Sequence, residues 1–136
     1  MTLTDTGALV AILDRDDGNH AVCRDAATKL PAGPMVTTWP CFVEAMYLLG
    51  AVRGFDYQSK LWKLHSEGRL LLHDLSAAEV ERMNELMEKY RDTPMDLADA
   101  SLVVTAESLS VRQIFTLDSD FRVYRLFDGS VFDIVP

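Results

Sequence analysis

The sequence predicts a three-layer α/β/α sandwich built on a central parallel sheet. Strand-like and helix-like segments alternate along the whole chain, the order that places parallel strands side by side with helices packed over them. The 136 residues are 49% hydrophobic, enough for a core in one domain spanning 1–136. No repeat, low-complexity segment or linker interrupts that pattern.

"LTDTGALVAIL" opens with a short strand ending at Asp5, followed by a helix over about 7–13. "RDDGN" is a turn, and a second helix is expected over 20–30. After the loop "PAGP", "MVTT" forms a strand, and a helix runs from Pro40 to Val52 with the proline in its first turn. "RGFDY" breaks that helix. Tyr57 to Glu67 is amphipathic, with Leu61 and Leu64 on one side. "RLLLHDL" is a strand, and Ser76 with Glu79 has the spacing of a capping box. The helix that box opens carries Val80, Met83, Met87 and Tyr90 at helical intervals. In "TPMDLADASLVV", Thr93 and Asp96 also have capping-box spacing, with Pro94 at the first helical position and a helix to Leu109. "RQIFTLD" is a strand, "SDFRVY" a helical turn, and "SVFDIV" the last strand.

Composition narrows the function. The balance of 13 basic against 21 acidic residues, a net charge of −8, argues against nucleic-acid binding through global charge, though not against a local basic patch. Cys23 and Cys41 show neither metal-type spacing nor a disulfide pattern, and with no leader-like segment after Met1 a cytoplasmic protein is expected. Glu44 interrupts the longest apolar run, which is too short to cross a bilayer.

Four carboxylates stand out because their neighbours are apolar. Asp5 is the only charge before Leu13, Glu44 the only one in "WPCFVEAMYLLGAV", and Asp99 the only one in "LADASLVVTA". Asp118 ends the strand "IFTLD". Burying an ionised carboxylate without a partner costs several kcal/mol. Local readings exist for three: Asp118 as a helix cap, Asp5 in a turn, Asp99 at a helix N-terminus. Glu44 has none, being mid-helix with Tyr47 and Leu48 on its face and no Lys or Arg within one turn. In parallel α/β sheets ligands bind beyond the carboxyl ends of the strands, where all four could meet. A divalent cation accounts for the set, and oxygen-only donors suit Mg²⁺ or Mn²⁺. His20, His65 and His73 lack ligand spacing, which disfavours zinc.

With these pieces in order, the chain resembles the PIN-domain family, particularly the VapC-like ribonuclease toxins of type II toxin–antitoxin systems. The resemblance rests on "LTDTGALVAIL", "VTTWPCFVEAMYLL", "PMDLADASLVVTAE" and "FTLDSDF". It implies a metal-dependent endoribonuclease in which Asp5, Glu44, Asp99 and Asp118 hold one or two Mg²⁺ or Mn²⁺ ions. The metal would activate a water against a scissile phosphate. Thr6 and Thr116 would orient a carboxylate or a water, with Asp96 and Asp120 as supporting acids. A cognate antitoxin is also implied; such antitoxins commonly lay a C-terminal segment across the active-site groove. Homodimerisation through exposed apolar helix surface is a further expectation.

RNA contacts are less legible. Arg53, Lys60, Lys63 and Arg69 fall on the middle helical hairpin, while Arg122 and Arg125 follow the last acidic motif. Arg122, four residues beyond Asp118, is the first candidate. "FDYQSKLWKLHSEGRLLL" has the make-up of a partner groove, though Phe55, Tyr57 and Trp62 would equally suit a core. Two other classes fit parts of the same pattern. One is a PIN-type nuclease of RNA processing or quality control. The other is a non-nuclease Mg²⁺-binding α/β domain such as a phospho-acceptor receiver. Asp74 could serve as acceptor in the latter, but no lysine follows Lys89 to complete such a site.

Overall fold

A computed structural model describes residues 1–136. Five strands form one sheet: β1 (Thr2–Thr4), β2 (Met35–Thr38), β3 (Leu70–His73), β4 (Gln113–Phe115) and β5 (Asp133–Val135). Their order is β3-β2-β1-β4-β5, and every neighbouring pair is parallel. Six helices connect them: α1 (Thr6–Leu13), α2 (His20–Thr28), α3 (Trp39–Arg53), α4 (Phe55–Ser66), α5 (Ala77–Lys89) and α6 (Leu97–Leu109). A single 3₁₀ turn, Ser119–Arg122, follows β4. The predicted class and element order are those observed.

Alternation along the short strands splits the apolar residues between two cores. Ile114 joins Leu86, Leu102, Val103, Phe121 and Tyr124 on the α5–α6 side. Phe115 joins Leu9, Phe42, Leu49, Leu61 and Leu70 among α1, α3 and α4. Helix α6 is buried from Ala98 through Ala106. Its polar members stay satisfied locally: the Ser101 hydroxyl donates to the Ala98 carbonyl and that of Thr105 to the Ser101 carbonyl.

Local details differ from expectation. The break between α3 and α4 is confined to Gly54, whose φ of 58° and ψ of −147° suit only glycine. Phe55 and Asp56, expected in the break, instead open α4, where an acid in the first turn complements the dipole. Thr93 does not cap α6. It closes a turn after α5, and the helix starts at Leu97 with Asp96 itself as N-cap, its carboxylate accepting the Asp99 N–H at 2.8 Å. Leu97 is exposed at the first helical position. The buried residues of α5 are Met83 and Leu86, with buried Tyr90 at its C-cap, while Val80 faces solvent. The Ser76–Glu79 capping box forms as expected.

This topology positions the site. From β1 the chain winds outward through β2 to β3, then returns to the other side of β1 for β4 and β5. The direction of winding therefore reverses between β1 and β4. Loops leaving the carboxyl ends of those two strands diverge and open a crevice there.

Candidate metal centre

Asp5 follows β1 directly and caps α1, its Oδ1 accepting the Thr6 N–H at 2.7 Å. Its Oδ2 accepts the Thr116 hydroxyl at 2.8 Å, from just beyond β4. The same Thr116 oxygen accepts the Asp118 N–H at 3.0 Å, so the two strand ends are tied through one hydroxyl. Asp118 caps the 3₁₀ turn by accepting the Asp120 N–H at 2.9 Å. Its local role as a cap and its place in the site therefore coexist. Asp99 is the third residue of α6. In a reciprocal box its carboxylate would turn back to the N-cap backbone. It turns away instead, and Oδ2 accepts the Tyr124 hydroxyl at 2.8 Å.

Asp5, Thr6, Glu44, Asp96, Asp99 and Asp118 all line one cavity of about 320 Å³ at this crevice. Asp5 and Asp99 are buried and Asp118 half-buried. Glu44 corrects the premise that selected it: it is exposed, on a face of α3 it shares with exposed Val43, Tyr47 and Leu48. Its lack of a cationic partner reflects hydration, and it reaches the site from the rim, where Oε2 accepts the Thr6 hydroxyl at 3.2 Å. Thr116 stands behind Asp5, and Asp120 does not line the cavity. Arg122 is exposed beside it, in a smaller recess that shares Leu117 and Asp118 with the site. Arg125 turns its guanidinium onto the carbonyls of Arg122, Val123 and Tyr124.

The electrostatics are those of an uncompensated acidic site. None of the protein's ion pairs involves a carboxylate of the cavity. Burial pushes Asp5 up to about 6 against the bonds from Thr116 and Thr6, with the charges of Asp118 and Asp96 adding to the rise. Burial pushes Asp99 up to about 7 despite the Tyr124 bond, helped by Asp96, Asp5 and Asp118. Cys41 approaches Asp5 at 4.0 Å, but burial raises its thiol to about 12, so it remains a neutral core residue. The histidines are engaged elsewhere: His20 with the Ala11 carbonyl, His65 with that of Leu70, and His73 with Glu79.

The donors are oxygens, as a hard cation requires. They line the cavity without converging: no three acidic, histidine or cysteine side chains are grouped closely enough to hold one ion by themselves. That spacing fits an ion which retains several waters and takes one or two protein carboxylates, the usual habit of Mg²⁺. Asp99 Oδ1 accepts no bond from the protein and is available for that role. A larger recess of about 480 Å³ opens at the amino ends of β2 and β3, but it contains no carboxylate.

Tyr124 is the polar residue at the site that sequence reasoning missed. It lies 25 positions from Asp99, and nothing in "FRVYRLF" marks it apart from other core aromatics.

A parallel α/β sandwich with acids gathered at its switch point defines a class of domain, and comparison gives that class its name. The family described as PIN domain matches residues 2–126, and the chain belongs to the PIN-domain family. Within it the chain is VapC-like. It is 32% identical to Ribonuclease VapC26 of Mycobacterium tuberculosis (strain ATCC 25618 / H37Rv), covering 98% of this chain and 99% of that protein. The fold also matches the crystal structure of M. tuberculosis VapC20, described as a Sarcin-Ricin loop cleaving toxin. Its TM-score is 0.86 at 15% identity over 100% of both chains. VapBC2 from Rickettsia felis, bound to a DNA fragment from its promoter, superposes with a TM-score of 0.69 at 15% identity. That match covers 99% of this chain and 98% of that one. No helix is long and apolar enough to cross a membrane.

Proposed function

We propose that this protein is a metal-dependent endoribonuclease and the toxin of a type II toxin–antitoxin pair. One observation carries the reading. Two buried carboxylates, Asp5 and Asp99, share a cavity with Glu44 and Asp118, and no protein cation compensates them. Its relative Ribonuclease VapC26 supports RNA as the substrate.

Asp5 and Asp99 are the residues that would hold Mg²⁺ or Mn²⁺, with Glu44 and Asp118 lining the same cavity. A bound ion would supply a water of lowered pKa and charge neutralisation at the phosphate. The protein's own contribution is placement. Thr116 fixes the Asp5 carboxylate and the Asp118 backbone together, and Thr6 holds Glu44 toward the cavity. Arg122, beside Asp118, is positioned to meet an RNA phosphate, a contact the acidic cavity itself cannot make. The antitoxin reading draws on the VapBC2 assembly of R. felis and on exposed Trp39, Val43, Tyr47, Val52, Phe55 and Trp62 of α3 and α4. Such a surface suits an apolar partner segment or a second copy of this chain. Cytoplasmic residence follows from the same reading.

Two measurements test this account. Mn²⁺ or Mg²⁺ at neutral pH is expected to raise the melting temperature; a hundredfold excess over Kd gives about 2.7 kcal/mol, roughly 8 °C for a chain this size. Ala at Asp5 or Asp99 removes that rise, and an equal shift in the variants would count against the site. Arg122→Glu is expected to weaken RNA binding by roughly tenfold, the loss of one charged hydrogen bond. Unchanged binding and cleavage would remove Arg122 from the account.

A further inference from the structure

We infer that Tyr124 is a positioning residue for the metal centre: its hydroxyl locks one oxygen of Asp99 so that the other alone is offered to a cation. The inference rests on the proposed metal site and assigns within it a residue from outside the carboxylate set.

The local structure leaves the hydroxyl little freedom. The 3₁₀ turn that Asp118 caps sends Phe121 and Tyr124, three residues apart, into the core, and both rings are fully buried. Tyr124 packs edge-on against Phe121 at 5.2 Å and against Tyr90 at 5.1 Å between ring centroids. Its backbone N–H donates to the Asp120 carbonyl. The next N–H, of Arg125, donates to the Tyr90 hydroxyl at 2.9 Å, which pins the chain just beyond the ring. The Tyr124 hydroxyl therefore meets Asp99 from a rigid base. Its one proton has a single acceptor in the protein, Asp99 Oδ2 at 2.8 Å.

On the acceptor side, the Asp96 carboxylate fixes the Asp99 backbone at the start of α6. With the backbone held there and Oδ2 held by Tyr124, rotation of the Asp99 carboxylate is blocked at both ends. Oδ1 has no partner within the protein. The same 3₁₀ turn thus connects two acids of the cavity, beginning on Asp118 and delivering a hydroxyl to Asp99 within six residues. Partners of this kind, which orient a ligand without touching the ion, typically change metal affinity by 10–100-fold when removed.

The test is Mn²⁺ affinity, read by electron paramagnetic resonance of free Mn²⁺, for the parent, Tyr124→Phe, Asp99→Asn and the double variant. Tyr57→Phe is the control, because it removes a buried hydroxyl in the other core that has no hydrogen-bond partner. Tyr124→Phe is expected to weaken Mn²⁺ binding by about tenfold and to lower kcat at a given Mn²⁺ concentration with KM for RNA unchanged. It is expected to add nothing in the Asp99→Asn background, and Tyr57→Phe to keep the parent affinity. Parent-like affinity in Tyr124→Phe, an equal loss in both backgrounds, or the same loss in Tyr57→Phe would each overturn the inference while leaving the metal site standing. Parent-like affinity in Asp99→Asn would overturn the placing of metal on Asp99, and Tyr124's role with it.

Discussion

Asp5→Asn is expected to abolish RNA cleavage, on the order of 10³-fold or more, in a protein that stays folded. The magnitude follows from the several kcal/mol that a bound cation contributes to a phosphoryl transition state, at about 1.4 kcal/mol per factor of ten. The fold survives because an amide can reproduce the bonds Asp5 makes. Its oxygen can still accept the Thr6 N–H, and its nitrogen can donate to Thr116 once that hydroxyl rotates. What the amide cannot reproduce is the anionic donor. Glu44→Gln gives a useful contrast: Glu44 is exposed and reaches the cavity from its rim, so a smaller loss is expected there. Cleavage assays at fixed Mn²⁺, with melting temperature as the folding control, decide the matter. Equal activity in parent and Asp5→Asn would identify a contaminating nuclease and end the proposed mechanism.

Much of this architecture was legible because sequence and topology act on the same features. Apolar strands alternating with amphipathic helices determine the layers, and a lone charge in an apolar run marks a buried carboxylate. That logic located Asp5 and Asp99. It reaches Glu44 for a wrong reason, since an apolar run need not be a buried one. The α3 face bearing Val43, Tyr47 and Leu48 is in fact exposed apolar surface. Thr93 failed for a different reason. Its spacing to Asp96 satisfied a local rule, but Asp96 could cap α6 directly, three residues ahead of Asp99, and the shorter helix prevailed. Tyr124 was invisible because its partner lies across the fold. A hydrogen bond between residues 99 and 124 depends on the 3₁₀ turn and the aromatic cluster together, and neither has a local signature.

Freed of metal, the protein is expected to lose stability as pH rises from 5 to 8, the reverse of usual carboxylate behaviour. Asp5 and Asp99 would titrate near 3.8 in an unfolded chain, but folding raises them to about 6 and about 7, chiefly by burial. Between those values the folded state retains protons that the unfolded state has lost. Stability is then complete below about 4 and falls as pH rises through the folded values. For Asp5 alone the rise corresponds to about 3 kcal/mol at full ionisation. Asp99 contributes in the same direction, though the two share the same neighbouring charges and do not simply add. Glu79 acts with the opposite sign, being lowered to about 2 within its bonds from Ser76, His73 and Ser108. Its contribution is present above its unfolded value of 4.5 and is lost only in stronger acid, so it stays silent in this window. Urea unfolding of chelator-treated protein at pH 5.5 and pH 8 measures the difference directly. Asp99→Asn is expected to be more stable than the parent at pH 8 without metal, because it removes a buried charge, and to flatten the pH dependence. Saturating Mn²⁺ is expected to abolish or invert the trend in the parent, since a cation and a proton compete for the same oxygens. A metal-free parent whose stability was flat or rising from pH 5 to 8 would show that these carboxylates are hydrated, and would remove the electrostatic ground for placing a cation between them.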